Sequence, residues 1–266
     1  MMRILLSFLK IGLLLYVAVC AVLYFLQEKL IFFPEKLSPG FKFRFPQTFQ
    51  EISLQTPDQV QLHGVLFKAN QPQGVILYLH GNAGSVHSWG DVAPIYTNLG
   101  YDVFLLDYRG YGKSEGRISS QRQIYQDVQV AYDFLKARYA EQDIVVLGYS
   151  IGTGPATKLA AENKPRLLIL QAPYYSLTDL MRHYFPFVPP LILKYKFETY
   201  KFLPKCTMPV VLFHGEQDEI IYYGSSLRLS QLFKDTDTLI TLKGQTHNGM
   251  SSNPAYLTQL QRVLQR

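Results

Sequence analysis

The N-terminal stretch differs in pattern from everything after it. Ile11 to Leu26 carries apolar or aromatic residues broken only by Gly12, with Arg3 and Lys10 before it and Gln27-Glu28-Lys29 after it. A segment apolar on every side predicts a helix in lipid, since a core helix of a soluble domain shows one apolar face. As a helix the uncharged stretch is about 24 Å long, short of a bilayer core, so Ile4 to Leu9 is expected to extend it with Lys10 snorkelling to the interface. A cleavable signal peptide shares the basic start and stays open as an alternative, although the small-residue cleavage pattern is poor. Val17-Ala18-Val19-Cys20 fits a lipoprotein signal badly because Val19 is bulky beside the cysteine. Arg3 and Lys10 face Lys29, Lys36, Lys42 and Arg44 across the segment, so charge does not decide orientation. The expectation leans to an N-in anchor with the following domain on the outer face.

Beyond this segment the pattern becomes that of alternating strands and helices. Glu51 to Thr56 alternates as a strand, and Gln61 to Lys68 is its predicted hairpin partner across Pro57-Asp58-Gln59. Apolar runs at Val75–Leu79, Asp102–Leu106, Ile144–Leu147, Leu167–Leu170, Val210–Phe213 and Thr238–Leu242 predict buried strands. Between them Gln121 to Arg138 places Ile124, Val128, Ala131, Tyr132 and Leu135 on one helical face, and Pro254 opens a last amphipathic helix reaching Gln265. Such alternation predicts a mostly parallel sheet with helices on both faces. The connection Tyr174 to Pro204 is too long for an ordinary loop, and Pro186, Pro189 and Pro190 break any long helix within it. It reads either as a small lid whose aromatics line a pocket or as an excursion packing them on the core. The expected organisation is an anchor and juxtamembrane segment over residues 1–31, then one domain over 32–266 with a lid at about 174–204.

Chemistry enters at Gly148-Tyr149-Ser150-Ile151-Gly152, between a predicted strand and a predicted helix. Glycines on either side let strand and helix approach while the turn projects the serine hydroxyl away from the sheet, the geometry of a nucleophile elbow. In that arrangement the acid and then the histidine follow in the chain. Asp218, on the loop after Val210–Phe213, is the predicted acid, ahead of Glu216, Glu219, Asp235 and Asp237. His247, after Thr238–Leu242, is the predicted base. His183 lies in the long insertion and His214 precedes the acid, so neither is as well placed. An oxyanion hole needs the N–H after the nucleophile, Ile151, and one from an earlier loop. The loop His80-Gly81-Asn82-Ala83-Gly84 supplies it, through Asn82 first and Ala83 second. Tyr149, Tyr174 and Tyr175 are candidate substrate contacts. His80 is expected to brace its glycine loop, and Asp107 to cap a turn.

Taken together, His80-Gly81-Asn82-Ala83-Gly84, Asp107-Tyr108-Arg109-Gly110-Tyr111-Gly112, Gly148 to Gly154, His214-Gly215 with Asp218, and His247-Asn248 resemble the α/β-hydrolase superfamily. Within it they are most similar to the Bem-type and ABHD-type membrane-anchored serine hydrolases, from about Phe32 onward. The resemblance implies the α/β-hydrolase fold, a Ser-His-Asp triad and acyl transfer, and implies no substrate. Asn248-Gly249-Met250 after His247 departs from the acidic residue that many relatives carry there, and so bears on identity with the protein-depalmitoylating members.

Composition narrows the reading further. The 266 residues suit one catalytic domain, and 48% hydrophobic content with 19 Tyr and 17 Phe allows a large sheet core and an aromatic-lined site. Cys20 and Cys206 are the only cysteines, so no disulfide framework is expected. The net charge of +6 and the lysines at 194, 196, 201 and 205 fit anionic headgroups beside a membrane better than nucleic acid. No metal-ligand cluster or phosphate loop stands out, and no cofactor is expected. The expected function is hydrolysis of an ester or thioester of an acyl or lipid-like group through an acyl-Ser150 intermediate. An amidase or aminopeptidase, and a silent binding scaffold, remain as alternatives. Haloalkane and epoxide hydrolases are disfavoured, since both need a carboxylate at the elbow. Oligomeric state is not legible.

Overall fold

The computed structural model describes residues 1–265. Helix α1 (Met2–Phe25) is followed directly by the short α2 (Gln27–Ile31), and the chain enters the domain through β1 (Phe33–Pro34). The hairpin β2 (Phe49–Gln55) and β3 (Gln61–Phe67) precedes β4 (Val75–Leu79), β5 (Ala83–Gly84), α3 (Val86–Trp89) and α4 (Ala93–Thr97). Next come β6 (Asp102–Leu106), α5 (Gln121–Lys136), β7 (Ile144–Tyr149), α6 (Thr153–Glu162) and β8 (Leu167–Gln171). The insertion contributes α7 (Leu177–Tyr184) and α8 (Thr199–Phe202), before β9 (Val210–Gly215), α9 (Gly224–Ser230), β10 (Thr238–Leu242) and α10 (Pro254–Leu264) close the chain.

Eight strands form one sheet in the order β10-β9-β8-β7-β4-β6-β3-β2. Every pairing from β10 to β6 is parallel, and only β3 and β2 join through antiparallel ladders. The central strands β4 and β7 are buried at every position, which is why they read as continuous apolar runs. Period-two alternation divides them between two cores. Leu77, Leu79 and Val146 face the layer of α5 and α6, while Ile76, Tyr78 and Val145 face Tyr96 of α4 and Tyr256 of α10. The predicted buried stripe of α5 is the observed one, joined by Asp127, which pairs with Arg109. Sheet order places β7 next to β4 and β8, so loops after β4, β7, β9 and β10 all open at the same strand ends. That edge, in open α/β sheets, is where ligands bind.

Among the described residues one helix, α1, is long and apolar enough to cross a bilayer, and none of it is buried. Its 24 residues extend about 36 Å, so Ile4 to Leu9 does continue the apolar run as one helix. Secretory leaders share that profile, so length and composition make α1 a possible anchor without fixing its orientation.

Candidate active site

The turn after β7 is shaped by close packing. A Cβ on Gly148 would lie 2.5 Å from the Gly152 carbonyl oxygen, and one on Gly152 would lie 2.2 Å from that of Leu79, so both positions demand glycine. Between them Ser150 adopts φ 52°, a left-handed conformation that a β-carbon resists and that the surrounding packing enforces. Its hydroxyl therefore projects from the strand end instead of joining the helix that follows.

There it meets the loops after β9 and β10. His247 Nε2 lies 3.0 Å from Ser150 Oγ, and His247 Nδ1 lies 2.8 Å from Asp218 Oδ2. A carboxylate only accepts, so Nδ1–H donates to Asp218 and Nε2 is left to accept from the serine. All three groups are largely buried. Asp218 is itself fixed, its Oδ1 accepting from Ile220 N at 2.9 Å and Ile221 N at 2.7 Å. Burial pushes the Asp218 pKa up, but hydrogen bonds from His214 and His247 outweigh it and hold the carboxyl well below the usual carboxylate range. The histidine loop is tied from behind, with Glu219 accepting from His247 N and Tyr149 Oη donating 2.6 Å to the His247 carbonyl.

Asn82 and Ile151 reach the same space, and each backbone N–H belongs to a peptide plane pinned on its far edge. His80 Nδ1 donates to the Gly81 carbonyl at 2.7 Å, and Thr153 Oγ1 donates to the Ser150 carbonyl at 2.7 Å. Because a trans peptide is planar, holding those carbonyls holds the N–H of Asn82 and of Ile151 pointing the opposite way. Burial lowers the pKa of His80, keeping it neutral in this role. His80 thus braces its loop, and Asp107 caps α3 by accepting from Val86 N at 2.7 Å.

Above Ser150 lies a cavity of about 570 Å³. Ser150, Asn82 and Ile151 form one side, and α7 with the segment after it forms another through Leu180, Met181 and Val188. The third wall was not anticipated: Leu23, Gln27, Leu30 and Ile31, from the end of α1 and from α2. No lining residue is charged.

Of the tyrosines expected to contact substrate, Tyr174 lines the cavity, donating from Oη to the Ile151 carbonyl at 2.9 Å. Tyr149 does not line it. The residue before the serine falls in the opposite core layer, against Trp89, and its hydroxyl serves the His247 loop. Tyr175 does not line it either, because consecutive residues point apart; it stacks on Tyr200 with a 4.7 Å centroid separation, under the Arg228 guanidinium. The insertion divides between its two expected uses: Tyr195 and Phe197 are core, while Tyr184 and Phe185 border the cavity amid aliphatic side chains. Its basic face is partly neutralised, Lys194 pairing with Glu28 and Lys201 with Glu198. His214, set aside as a base, is wholly buried with Nε2 3.2 Å from Asp218 Oδ2 and Nδ1 bonded to Ser226. Its place one turn before the acid was the available signal.

With this geometry in hand, similarity to known proteins is specific. Residues 70–204 match the Hydrolase_4 family, described as serine aminopeptidase, S33. The chain is 31% identical over 195 residues to alpha/beta hydrolase domain-containing protein 17B of Xenopus laevis, and 30% identical to the human protein of that name. Each alignment covers 71% of this chain, which spans 65% of the length of those curated relatives. Among solved structures, the Pyrococcus furiosus esterase Pf2001 superposes with TM-score 0.70 at 19% identity, covering 88% of this chain and 98% of that one. Est1E from Butyrivibrio proteoclasticus, solved with ferulic acid, gives 0.66 at 21%, covering 80% and 96%.

Proposed function

The chain belongs to the Hydrolase_4 family of α/β hydrolases, and on that premise we propose that Ser150, His247 and Asp218 are a catalytic triad hydrolysing an ester or thioester of a long acyl group. Ser150 Oγ attacks the acyl carbonyl as its proton passes to His247 Nε2, 3.0 Å away. Asp218 holds the productive tautomer and stabilises the imidazolium, and the N–H groups of Asn82 and Ile151 receive the oxyanion. Collapse expels the alcohol or thiol, which takes the proton from His247. Water then repeats the sequence on the acyl-Ser150 intermediate and releases the acid.

The observation that carries the acyl specificity is the cavity wall, apolar and uncharged over Ser150. Aminopeptidase action, which the family description brings to mind, needs an acidic group to hold the substrate's α-ammonium, and no Asp or Glu lines this cavity. Its volume falls within the usual range for small-ligand sites. In this reading α1 is a membrane anchor and the partner surface is lipid, not nucleic acid.

Hydrolysis of nitrophenyl esters from acetyl to palmitoyl, compared with Ser150→Ala, tests the proposal. Turnover that depends on Ser150 and rises toward long chains is expected. An optimum at acetyl would overturn the long-acyl specificity. A folded wild type that neither turns over any ester nor reacts with a fluorophosphonate would instead be a binding scaffold.

A further inference from the structure

Among the described residues, the two longest exposed apolar stretches outside both cores are these. One is α1. The other is the run Tyr184 to Leu193, Tyr-Phe-Pro-Phe-Val-Pro-Pro-Leu-Ile-Leu, which contains no charge. Its large side chains face outward: Phe185 is 63% exposed, Phe187 86% and Leu191 84%. A contiguous patch of this kind marks an interaction surface. The two surfaces are joined, because Tyr16 in the middle of α1 donates its hydroxyl to the Phe187 carbonyl at 2.8 Å. Gln27 bridges them again, donating to the Ile192 carbonyl at 2.7 Å and accepting from Lys194 N at 2.8 Å.

Most backbone N–H groups of the run are absent or paired, as hydrocarbon requires, those of Phe187 and Leu191 being the exceptions. Pro186, Pro189 and Pro190 have no N–H to satisfy. Phe185, Val188, Ile192 and Leu193 donate to Met181, Phe185, Pro189 and Pro190 carbonyls in turn. Depth follows from the Tyr16 contact, since Tyr16 stands about 14 Å along the helix from Phe25. With Phe25 at the domain-side surface of a bilayer core about 30 Å thick, Phe187 sits near its middle. The wall of the cavity continues the same surface, for Leu23, Leu30, Phe185, Val188 and Ile192 line it.

We propose that Tyr184–Leu193 is a second membrane-inserted element and that, with α1 and α2, it frames a side opening through which Ser150 receives an acyl chain directly from the bilayer. The access route rests on the acyl-hydrolase reading; the insertion does not. The occupant of the opening is the hydrocarbon tail of a lipid or lipid-modified molecule. Its carbonyl rises along the cavity to Ser150 while the tail stays among Leu23, Leu30 and Val188.

Insertion is measured without catalysis. The full chain carrying Phe187→Cys in a Cys20→Ala, Cys206→Ala background, or Leu191→Cys in the same background, is labelled with an environment-sensitive NBD fluorophore and reconstituted in phosphatidylcholine vesicles. Blue-shifted emission, quenched more strongly by lipids brominated at mid-chain than by aqueous iodide, is expected. Water-like emission quenched by iodide in both variants overturns insertion. Access is measured with Phe187→Ser, Leu191→Ser, neither of which lines the cavity. At least a tenfold loss in kcat/KM is expected on a palmitoyl ester presented in vesicles, with acetyl ester hydrolysis in water unchanged within twofold. Equal loss on both esters, or no loss on either, overturns the route. Wild type that hydrolyses no ester while its label sits deep removes the acyl reading, and the route with it, and leaves the insertion standing.

Discussion

On one side of the cavity Ser150, His247 and Asp218 are placed by directional side-chain bonds at buried strand ends; on the other, Leu180, Met181, Val188 and Leu30 present apolar side chains that meet their neighbours by contact. The first side tolerates almost no displacement, since each polar group has an assigned partner within about 3 Å. Hydrogen-bond geometry decays steeply with angle and distance. The apolar side chains of the second have no polar partner to keep, so size and shape set what they admit. On the proposed reading chemistry and selectivity are therefore separable, and substitutions on the two sides should fail in different ways.

The sharpest break comes at the serine. Ser150→Ala should lower kcat by about 10⁴-fold or more and abolish fluorophosphonate labelling, and His247→Ala should add little on top of it, because triad members act as a unit. Asp218→Asn should cost about 10⁴-fold in kcat through loss of the productive tautomer, with folding retained by circular dichroism. A subtler test reaches the oxyanion donors through their peptide planes. Thr153→Val frees the Ser150 carbonyl and should reduce kcat about tenfold with KM nearly unchanged, since only the transition state feels the looser N–H. On the apolar side Met181→Trp should leave acetyl ester turnover within twofold and shift the chain-length optimum toward shorter acyl groups. Long-chain kcat/KM should drop about tenfold or more, the scale set by a few misplaced methylenes. The smallest effect concerns pH. Asp218 has a folded pKa below its unfolded value, so its contribution to stability is full above the ordinary value near 4 and is lost as pH falls toward the folded one. Unfolding midpoints followed downward from neutrality should therefore decline below about pH 4, and less steeply in Asp218→Asn.

The polar side was the more legible in sequence for a physical reason. A nucleophile elbow is a local object: Gly148 and Gly152, which flank Ser150, are required by contacts within a few residues and by one neighbouring strand, and chain order then narrows the histidine and the acid. Strand boundaries were legible likewise, with Val75–Leu79, Asp102–Leu106 and Thr238–Leu242 read at the observed ends. Tyr149 and Tyr175 lie away from the cavity, because facing is decided by the opposing layer, which a single strand or loop does not encode. The cavity wall from α1 and α2 was illegible because it joins residues far apart in sequence, and an apolar helix gives no sign of which neighbour it will touch. In the insertion, the lysines from Lys194 onward are the conspicuous feature of the sequence, while the uncharged run Tyr184–Leu193 just before them borders the cavity. Its three prolines were read as helix breakers, whereas they also remove backbone donors.

The chain leaves α2 through β1, and there Phe33 N donates to the Asn82 carbonyl at 2.8 Å while Asn82 Nδ2 donates to the Ile31 carbonyl at 3.2 Å. Glu35 N continues the stitch to Gly84. Were α1 the proposed anchor, tilting to match a thinner or thicker bilayer would pull on this short seam, and the seam holds Asn82, the proposed oxyanion donor. On the proposed reading bilayer thickness would become a mechanical input to the reaction centre, readable as turnover across vesicles of graded lipid length.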